Sequence, residues 1–301
     1  MEHPFTIPLT VPKDKYVDFI YNYKLITQET GHLFVFSGDQ KIEHLNDDFY
    51  GSTIDIDDAS PEHLFNIAKN GRVGAFASQL GLIARYGAKY PTIPYIIKMN
   101  SKTNLLFTKQ ADPISLALYD IADIIAFKKE SNLSIVGVGY TIYLGSEHES
   151  TMLREASRII LEAHKEGLIT ILWMYPRGKA VTNERDAHII AGASGVAACL
   201  GADFAKINLP DAPTSRESAT LLAEARNAAG NTQLICSGGA SIDSAQYLKQ
   251  LYEQVTIGKI NGCAVGRNIH QKKHVDAVAL CNAIAAIVID RTNLEEALKF
   301  L

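Results

Sequence analysis

Eight short apolar runs, separated by segments of helical periodicity, predict an α/β fold: a single (β/α)8 TIM barrel with an N-terminal extension. The runs begin about every 33 residues, a spacing that suits one strand, one helix and two short loops. Most runs are continuously apolar, as parallel strands buried on both faces are. We expect one domain over 1–301, with the extension at 1–30 and the barrel at 31–290.

The elements are predicted in chain order. The extension, 1–30, is expected to form a helix that covers the bottom of the barrel. The strands follow at 33–36, 72–76, 95–99, 135–140, 168–174, 203–207, 232–236 and 262–265.

The segments between the strands carry helix signals. Apolar residues over 152–163 recur at helical spacing on one face, with charged residues on the other. Gly167 follows, where a left-handed residue is expected to end the helix. Ser60 and Asp112 each precede a proline, the order of a capping residue and a first helical residue, so both are expected to begin helices.

An open, doubly wound sheet is the alternative to a closed barrel. Open sheets that bind dinucleotides carry GxGxxG after the first strand, whereas here Phe36 is followed by Ser-Gly-Asp-Gln. The nearest match, Gly137-Val138-Gly139, continues Tyr-Thr-Ile and lacks the third glycine. The sequence therefore favours the barrel.

Composition and charge exclude several classes of protein. Of the 301 residues, 47% are hydrophobic and 21% are charged, so a sizeable core can form. The net charge of −4, without a long basic run, argues against a nucleic-acid partner. The apolar stretch at 189–200 is shorter than the ~20 residues of a membrane span, so a soluble chain without a membrane partner is expected. The N-terminus lacks the regions of a signal peptide.

The cysteines and the acidic loop after the first strand give no metal signal. No two cysteines form a CxxC pair, which indicates neither a zinc knuckle nor a disulfide framework, and a reducing, cytoplasmic location is expected. Glu43 and His44, near two aspartates, match no zinc-binding spacing, so no metal is expected. The cysteines are Cys199, Cys236, Cys263 and Cys281.

In a (β/α)8 barrel, functional side chains lie at the carboxyl ends of the strands. Strands 7 and 8 end in glycine-rich turns. Glycine lets the backbone approach a phosphate, a following helix N-terminus supplies N–H groups, and arginine adds a bidentate donor. We therefore predict a phosphate site there, with two ordinary βα turns as the alternative. The residues are Ser237, Gly238, Gly239, Gly266 and Arg267.

Two lysines, Lys206 in strand 6 and Lys98 in strand 3, interrupt apolar strands. Burial lowers the pKa of a lysine, and an unprotonated amine can attack a carbonyl and form a Schiff base. The alternative for Lys206 is a lysine buried in an ion pair with Asp or Glu. One of the two lysines could be the nucleophile and the other a nearby cation that lowers the pKa of the nucleophilic amine. Position alone does not say which is which.

Acid–base partners are available at neighbouring strand ends. Trp173 and Tyr175 are two residues apart, so their side chains point to the same face of a strand. The alternative to a role in the site is that both side chains pack in the core. Tyr175 could pass protons to a lysine amine, and Asp39, after strand 1, is a candidate base or a loop cap. Arg177 is either a second phosphate anchor or a salt-bridge partner.

Four runs of sequence are distinctive as a set: GVGYTIYLGSE at 137–147, WMYPRG at 173–178, GADFAKI at 201–207 and AVGRNI at 264–269. Together they resemble the archaeal-type class I fructose-bisphosphate aldolases. That family belongs to the Schiff-base barrel aldolases, a group that includes deoxyribose-phosphate aldolase. The resemblance extends from residue 33 to 275.

The resemblance implies an enzyme without metal or cofactor that reversibly cleaves fructose 1,6-bisphosphate to dihydroxyacetone phosphate and glyceraldehyde 3-phosphate. It implies that Lys206 forms the Schiff base with the phosphorylated ketose and that Tyr175 shuttles protons. Family members commonly assemble as decamers, so a homo-oligomer is expected. The other implied contacts are Trp173 lining the site, Asp39 on the substrate hydroxyls, and Ser237, Gly238, Gly266 and Arg267 on the phosphate.

One departure from the family lies after strand 1, where the usual Asp-His-Gly is Asp39-Gln40-Lys41. That loop helps to shape the distal end of the substrate site, so the aldehyde partner stays open. Relatives that keep the lysine run other reactions, among them an aminodideoxyheptulosonate synthase, which transfers a ketose fragment, and an autoinducer-phosphate thiolase. A barrel that senses a sugar phosphate without turnover is a third alternative.

Overall fold

The structure, a computed structural model, describes residues 6–44, 46–103 and 112–301. Within these ranges eight parallel strands close into a barrel in chain order, and the last strand pairs with the first. The predicted (β/α)8 barrel is confirmed, and the open sheet is wrong. The strands are β1 (Leu33–Ser37), β2 (Ala75–Ser78), β3 (Tyr95–Lys98), β4 (Ile135–Leu144), β5 (Ile169–Pro176), β6 (Phe204–Ile207), β7 (Gln233–Ser237) and β8 (Gly262–Val265).

Helices alternate with the strands and surround them. In the described ranges, none combines the length and the apolar character that crossing a membrane requires. The helices are α1 (Tyr16–Thr27), α2 (Gln40–Glu43), α3 (Pro61–Asn70), α4 (Leu80–Tyr86), α5 (Ile121–Ser131), α6 (Glu149–Lys165), α7 (Ala187–Leu200), α8 (Ser215–Ala229), α9 (Ser244–Thr256), α10 (Arg267–His270), α11 (His274–Val288) and α12 (Leu294–Leu298).

Helix α1 covers the amino-terminal end of the barrel, as the sequence predicts. Its buried side chains Phe19, Tyr23 and Ile26 join the apolar cluster inside the barrel. The Tyr23 hydroxyl donates to the side chain of Gln233, the first residue of β7, at 2.9 Å. The N-terminal extension therefore closes the bottom of the barrel and leaves the opposite end open for a site.

Strands β4 and β5 are longer than predicted. They pair over eight successive residues, and the pairing continues to Tyr143 with Tyr175 and Leu144 with Pro176. This extension carries Tyr175 past the ends of shorter strands such as β6. Strand β2 begins three residues later than predicted, because Arg72 lies on the surface in a salt bridge with Asp290.

Two of the three predicted helix boundaries are confirmed. The Ser60 side chain caps α3, and Gly167, after α6, has a left-handed φ of +69°. The boundary at Asp112 is wrong, because α5 begins at Ile121 and Asp120 caps it. The Asp112 carboxylate instead accepts a hydrogen bond from the backbone N–H of Lys179 at 3.0 Å and pairs with its Nζ at 2.8 Å. It links two loops at the open end of the barrel rather than starting a helix.

Candidate active site

A cavity of about 150 Å³ opens at the carboxyl ends of the strands. It brings together every predicted site residue except Lys98, which lies beside it with Nζ 5.1 Å from the centroid of the Trp173 ring. Larger surface grooves exist, but the two of about 430 and 560 Å³ contain no buried lysine among their described residues. The cavity is lined by Asp39, Gln40, Glu43, His44, Trp173, Tyr175, Arg177, Lys206, Asn208, Ser237, Gly238, Gly239, Ala264, Gly266 and Arg267.

Lys206 projects from β6 into this cavity. Its strand position is opposite Trp173 of β5, and Nζ lies 5.4 Å from the centroid of that ring. Only 4% of the residue is exposed, and burial lowers its pKa, while Asp39 and Glu43 raise it and Arg267 lowers it. Within the described part of the chain, Nζ has no hydrogen bond or ion pair. The amine is therefore desolvated and uncommitted, the state that carbonyl attack requires.

Lys98 is buried as deeply, but its amine is occupied. Its Nζ donates to the Thr141 hydroxyl at 2.6 Å and to the Asn100 carbonyl at 3.1 Å, and lies 3.9 Å from the Asp39 carboxylate. Burial lowers the pKa of Lys98, and Glu43 and Asp39 oppose this shift. The buried ion pair that was the alternative for Lys206 is formed by Lys98 instead, and this contrast separates the two lysines where strand position could not.

The two carboxylate oxygens of Asp39 have different surroundings. Its Oδ2 faces Lys98, while its buried Oδ1 has no hydrogen-bond partner among the described residues. Gln79 of the β2–α4 turn donates to the Asp39 backbone carbonyl at 2.9 Å and fixes the end of β1. A carboxylate oxygen held in this way can accept a hydrogen bond from a bound hydroxyl.

Trp173 and Tyr175 point to the same side of β5, as expected. The indole lies close to the amines of both Lys98 and Lys206, and Gly139 leaves room for it, since a Cβ there would be 2.3 Å from Trp173 Cζ3. Burial, with contributions from Asp39 and Glu43, holds the pKa of Tyr175 well above its ordinary value. The phenol therefore stays protonated and can donate.

The ends of β7 and β8 form one rigid unit that sequence reasoning did not identify. The buried side chain of Asn268 donates to the carbonyls of Gly238 at 2.8 Å and Ala240 at 3.1 Å, and accepts from the N–H of Ile242 at 2.9 Å. Gly239 has a φ of +69°, which favours glycine. Asn268 thus joins the two turns predicted to bind phosphate. The position of Asn268 directly after Arg267 is the feature of the sequence that could have indicated this role.

Arg267 and Arg177 stand at the rim. Arg267 Nε lies 3.7 Å from Asp48 Oδ2. Arg177 makes a bidentate pair with Glu184, with distances of 2.6 and 2.7 Å from Nε and Nη2, so the salt-bridge alternative for Arg177 is present. The guanidinium also lies 5.9 Å from the centroid of the Tyr175 ring.

Glu43 is a second carboxylate of the cavity, which sequence reasoning considered only as a metal ligand. It accepts from the Ser101 hydroxyl at 3.4 Å and acts on the pKa of both buried lysines. The signal was its distance of four residues from Asp39, which places both on one face of a helical turn. His44 pairs with Asp48 at 2.7 Å. Across 6–44, 46–103 and 112–301, no group of three or more His, Cys, Asp or Glu side chains is arranged to hold a metal ion.

Comparison with known proteins identifies the family. Residues 33–272 match the DeoC/LacD family of aldolases. The chain belongs to this family. The fructose-bisphosphate aldolase/6-deoxy-5-ketofructose 1-phosphate synthase of Methanocaldococcus jannaschii is 58% identical over 295 residues, which cover 97% of this chain and 93% of the relative. The class 1 fructose-bisphosphate aldolase of Thermoproteus tenax is 32% identical over 269 residues, 89% of this chain and 94% of the relative.

Solved structures of fructose-bisphosphate aldolases are similar to this chain. The fructose-bisphosphate aldolase from Slackia heliotrinireducens has a TM-score of 0.95 and 50% identity, covering 99% of this chain and 93% of its own. An archaeal fructose-1,6-bisphosphate aldolase with its catalytic lysine bound to the carbinolamine intermediate has a TM-score of 0.76 and 30% identity, covering 90% and 99%. The resemblance to archaeal-type class I aldolases that the sequence motifs predict is confirmed.

Proposed function

We propose that this DeoC/LacD aldolase is a class I fructose-bisphosphate aldolase. It cleaves fructose 1,6-bisphosphate reversibly to dihydroxyacetone phosphate and glyceraldehyde 3-phosphate. The observation that carries the proposal is the uncommitted, buried amine of Lys206, which shares one cavity with Tyr175, Asp39 and the glycine turns of β7 and β8. The similarity to aldolases over nearly the whole chain supports it.

The reaction begins when Lys206 Nζ attacks the C2 carbonyl of the ketose. A proton moves from the nitrogen to the oxygen, and the carbinolamine loses water after Tyr175 protonates its hydroxyl. The resulting iminium withdraws electrons from the neighbouring bond. When a base takes the C4 hydroxyl proton, the C3–C4 bond breaks, glyceraldehyde 3-phosphate leaves, and the bonding pair forms an enamine. Protonation at C3 and hydrolysis then release dihydroxyacetone phosphate and the free amine.

The base in the cleavage step is Asp39 or the Tyr175 phenolate that donation leaves behind. Asp39 Oδ1, which has no hydrogen-bond partner in the described part of the chain, supports the carboxylate, and the position of Tyr175 in the same cavity supports the phenolate. Lys98, whose amine donates to Thr141 and to the Asn100 carbonyl, lies beside the site and is not the nucleophile.

The phosphate of the ketose is held at the ends of β7 and β8. Ser237, Gly238, Gly239 and Gly266 offer close approach to backbone N–H groups, and Arg267 offers charge. Fixing the phosphate there positions the carbonyl near Lys206 and so raises the effective concentration of the reacting groups. Trp173 lines the site, and Arg177 stabilises its rim through Glu184.

A second candidate activity is transfer of the three-carbon fragment to another aldehyde. The Methanocaldococcus relative is also a 6-deoxy-5-ketofructose 1-phosphate synthase, and this chain carries Asp39-Gln40-Lys41 where the family usually has Asp-His-Gly. Other Schiff-base reactions, such as those of aminodideoxyheptulosonate synthase or the autoinducer-phosphate thiolase, need a further cosubstrate. Condensation of dihydroxyacetone phosphate with glyceraldehyde 3-phosphate alone separates the aldolase from these alternatives.

Residue substitution tests the proposed function. We expect Lys206→Met to abolish cleavage of fructose 1,6-bisphosphate in a coupled assay, because Lys206 carries the only lysine amine among the described residues that line the cavity. Lys165→Met, at the exposed end of α6, is the matched control and keeps wild-type turnover. Thermal stabilisation by the ketose without any turnover of the wild type would instead support a sugar-phosphate sensor.

We also propose that residues 1–301 form one domain and that the protein is a cytoplasmic homo-oligomer. All four cysteines are free, which supports a reducing compartment. Leu9, Val17 and Tyr21 of the N-terminal segment expose large apolar side chains, which supports a subunit contact. Sedimentation equilibrium tests the assembly against the 32.9 kDa chain mass, and decamers are the form that the family resemblance suggests.

A further inference from the structure

A buried histidine–aspartate pair lies directly behind the end of β8. His270 Nδ1 is 2.6 Å from Asp58 Oδ2, and both side chains have no exposed surface. Phe49 stacks on the imidazole, with ring centroids 4.5 Å apart and planes 5° from parallel. The His270 backbone carbonyl is 3.0 Å from His63 Nε2 of helix α3. A buried pair of this kind adds little net stability, and in some proteins it fixes one particular arrangement of the elements around it.

The pair anchors a helix that cannot fix itself. Helix α10 is a single turn of four residues, too short to be stable without tertiary contacts. Arg267 is its first residue and His270 its last, so the anchor lies three residues, about one turn, from the arginine. Asn268 holds the side of α10 that faces the β7 turn. His270 holds the opposite side, which faces the segment 46–60.

The segment 46–60 is tied to α10 at further points. The Gln271 side chain donates to the Asp48 carbonyl at 2.8 Å, and the Asp55 N–H donates to the Gln271 carbonyl at 3.1 Å. Asp48 lies 3.7 Å from Arg267 Nε through its Oδ2. The segment therefore carries both the anchor of the helix, Asp58, and a carboxylate, Asp48, that lies near the guanidinium and pairs with His44 at 2.7 Å.

We propose that the His270–Asp58 pair positions Arg267 for binding of the substrate phosphate. The pair touches neither substrate nor reacting atoms; it fixes the orientation of α10 and the seating of the segment 46–60, and with them the place of the guanidinium. The inference rests on the proposed function for the identity of the ketose, but the phosphate contact itself can be measured without turnover.

The test is Asp58→Asn, compared with Asp203→Asn. The control breaks a similar pair at the closed end of the barrel, where His164 Nε2 lies 3.2 Å from Asp203 Oδ2 and both side chains are buried. We expect Asp58→Asn to raise KM for fructose 1,6-bisphosphate roughly tenfold with kcat within about twofold, because phosphate contacts serve ground and transition state alike. Asp203→Asn should lower Tm with KM unchanged.

A conservative variant separates positioning from general damage. His270→Asn keeps an amide N–H near the place of Nδ1, so its KM should stay close to the wild-type value. His270→Leu removes the polar group and should raise KM as Asp58→Asn does. An unchanged KM in Asp58→Asn, an equal rise in Asp203→Asn, or a loss confined to kcat would overturn the proposal.

Binding of inorganic phosphate distinguishes this proposal from the proposed function. If wild-type protein does not cleave the ketose, the aldolase assignment fails on its own. Titration calorimetry with inorganic phosphate then decides the present inference: a weaker Kd in Asp58→Asn but not in Asp203→Asn supports it, and equal Kd values in all three proteins contradict it.

Discussion

At the scale of single residues, the chemistry of the cavity depends on how readily Lys206 loses its proton. Burial lowers its pKa, the carboxylates of Asp39 and Glu43 raise it, and Arg267 lowers it. The same two carboxylates raise the pKa of Tyr175. Their charge therefore keeps the phenol protonated as a donor and limits how far the amine pKa falls.

These opposing effects on the pKa of Lys206 predict how substitutions shift the pH dependence of Schiff-base formation. Only the unprotonated amine attacks a carbonyl, so Schiff-base formation increases as pH rises through the pKa of Lys206. Asp39→Asn removes the larger carboxylate contribution, so the pKa of Lys206 falls and the rising limb moves to lower pH. The rate of borohydride trapping with dihydroxyacetone phosphate, measured against pH, reads this limb even where cleavage is lost.

Two companion variants control that experiment. Glu43→Gln should move the limb in the same direction and by less, and Arg267→Gln should move it to higher pH because a neighbouring cation is lost. A limb that moves upward in Asp39→Asn would contradict the electrostatic account of the site.

Sequence alone could find both lysines and could not choose between them by position. Strand position gave the burial of Lys98 and Lys206, because both interrupt apolar runs. The difference lies in contacts from other elements: Thr141 of β4 and the Asn100 carbonyl occupy Lys98. Side-chain hydrogen bonds between strands distant in sequence do not appear in local patterns, which is why the resemblance to a family was needed for the assignment.

At the scale of elements, the seam between β8 and β1 depends on one glycine. Gly262 has a φ of +149°, and a Cβ there would lie 1.9 Å from the Leu33 carbonyl oxygen. Its partner strand pairs Leu33 directly with Gly262, so the two backbones cannot move apart without opening the barrel. The position therefore tests whether barrel closure limits stability.

Gly262→Ala should lower the free energy of unfolding by about 3 kcal/mol, from backbone strain and overpacking. Gly192→Ala in α7 is the matched control, because a Cβ there meets nothing within 4 Å. Alanine in a helix interior is favoured over glycine by up to about 1 kcal/mol, so the control should be neutral or stabilising. Denaturant titration measures both, and equal stability of the two variants would contradict the strained seam.

The element boundaries that the sequence missed have physical causes. β4 and β5 are longer because they continue to pair with each other beyond the ends of the neighbouring strands. This pairing depends on both strands together, so the sequence of either segment alone does not predict it. Asp112 has the pattern of a helix cap but bonds Lys179, from a loop far along the chain. Caps such as Ser60, whose partner is two residues away, were predictable because the contact is local.

At the scale of the whole molecule, the extension 1–30 completes the core of the barrel. Phe19 is fully buried at the closed end and meets the edge of His164 at a centroid distance of 5.8 Å. The βα period predicted the architecture because it repeats eight times along the chain. The helix in the extension was expected at the bottom of the barrel only because residues 1–30 precede the first strand.

Phe19→Ala should destabilise the protein by about 3–5 kcal/mol, the usual cost of a buried phenylalanine. Lys24→Ala, in the same helix and at an exposed position, is the control and should change the unfolding free energy by less than about 0.5 kcal/mol. Chemical denaturation gives both values. A Phe19→Ala protein as stable as its control would show that α1 does not contribute to the barrel core.

Borohydride reduction in the presence of dihydroxyacetone phosphate, followed by peptide mass mapping, identifies directly the lysine that forms the Schiff base. We expect one stable adduct, on Lys206, because its buried amine has no hydrogen bond or ion pair with the residues that the structure describes, whereas that of Lys98 donates to Thr141 and Asn100. An adduct on Lys98, or none at saturating ligand, would contradict this expectation.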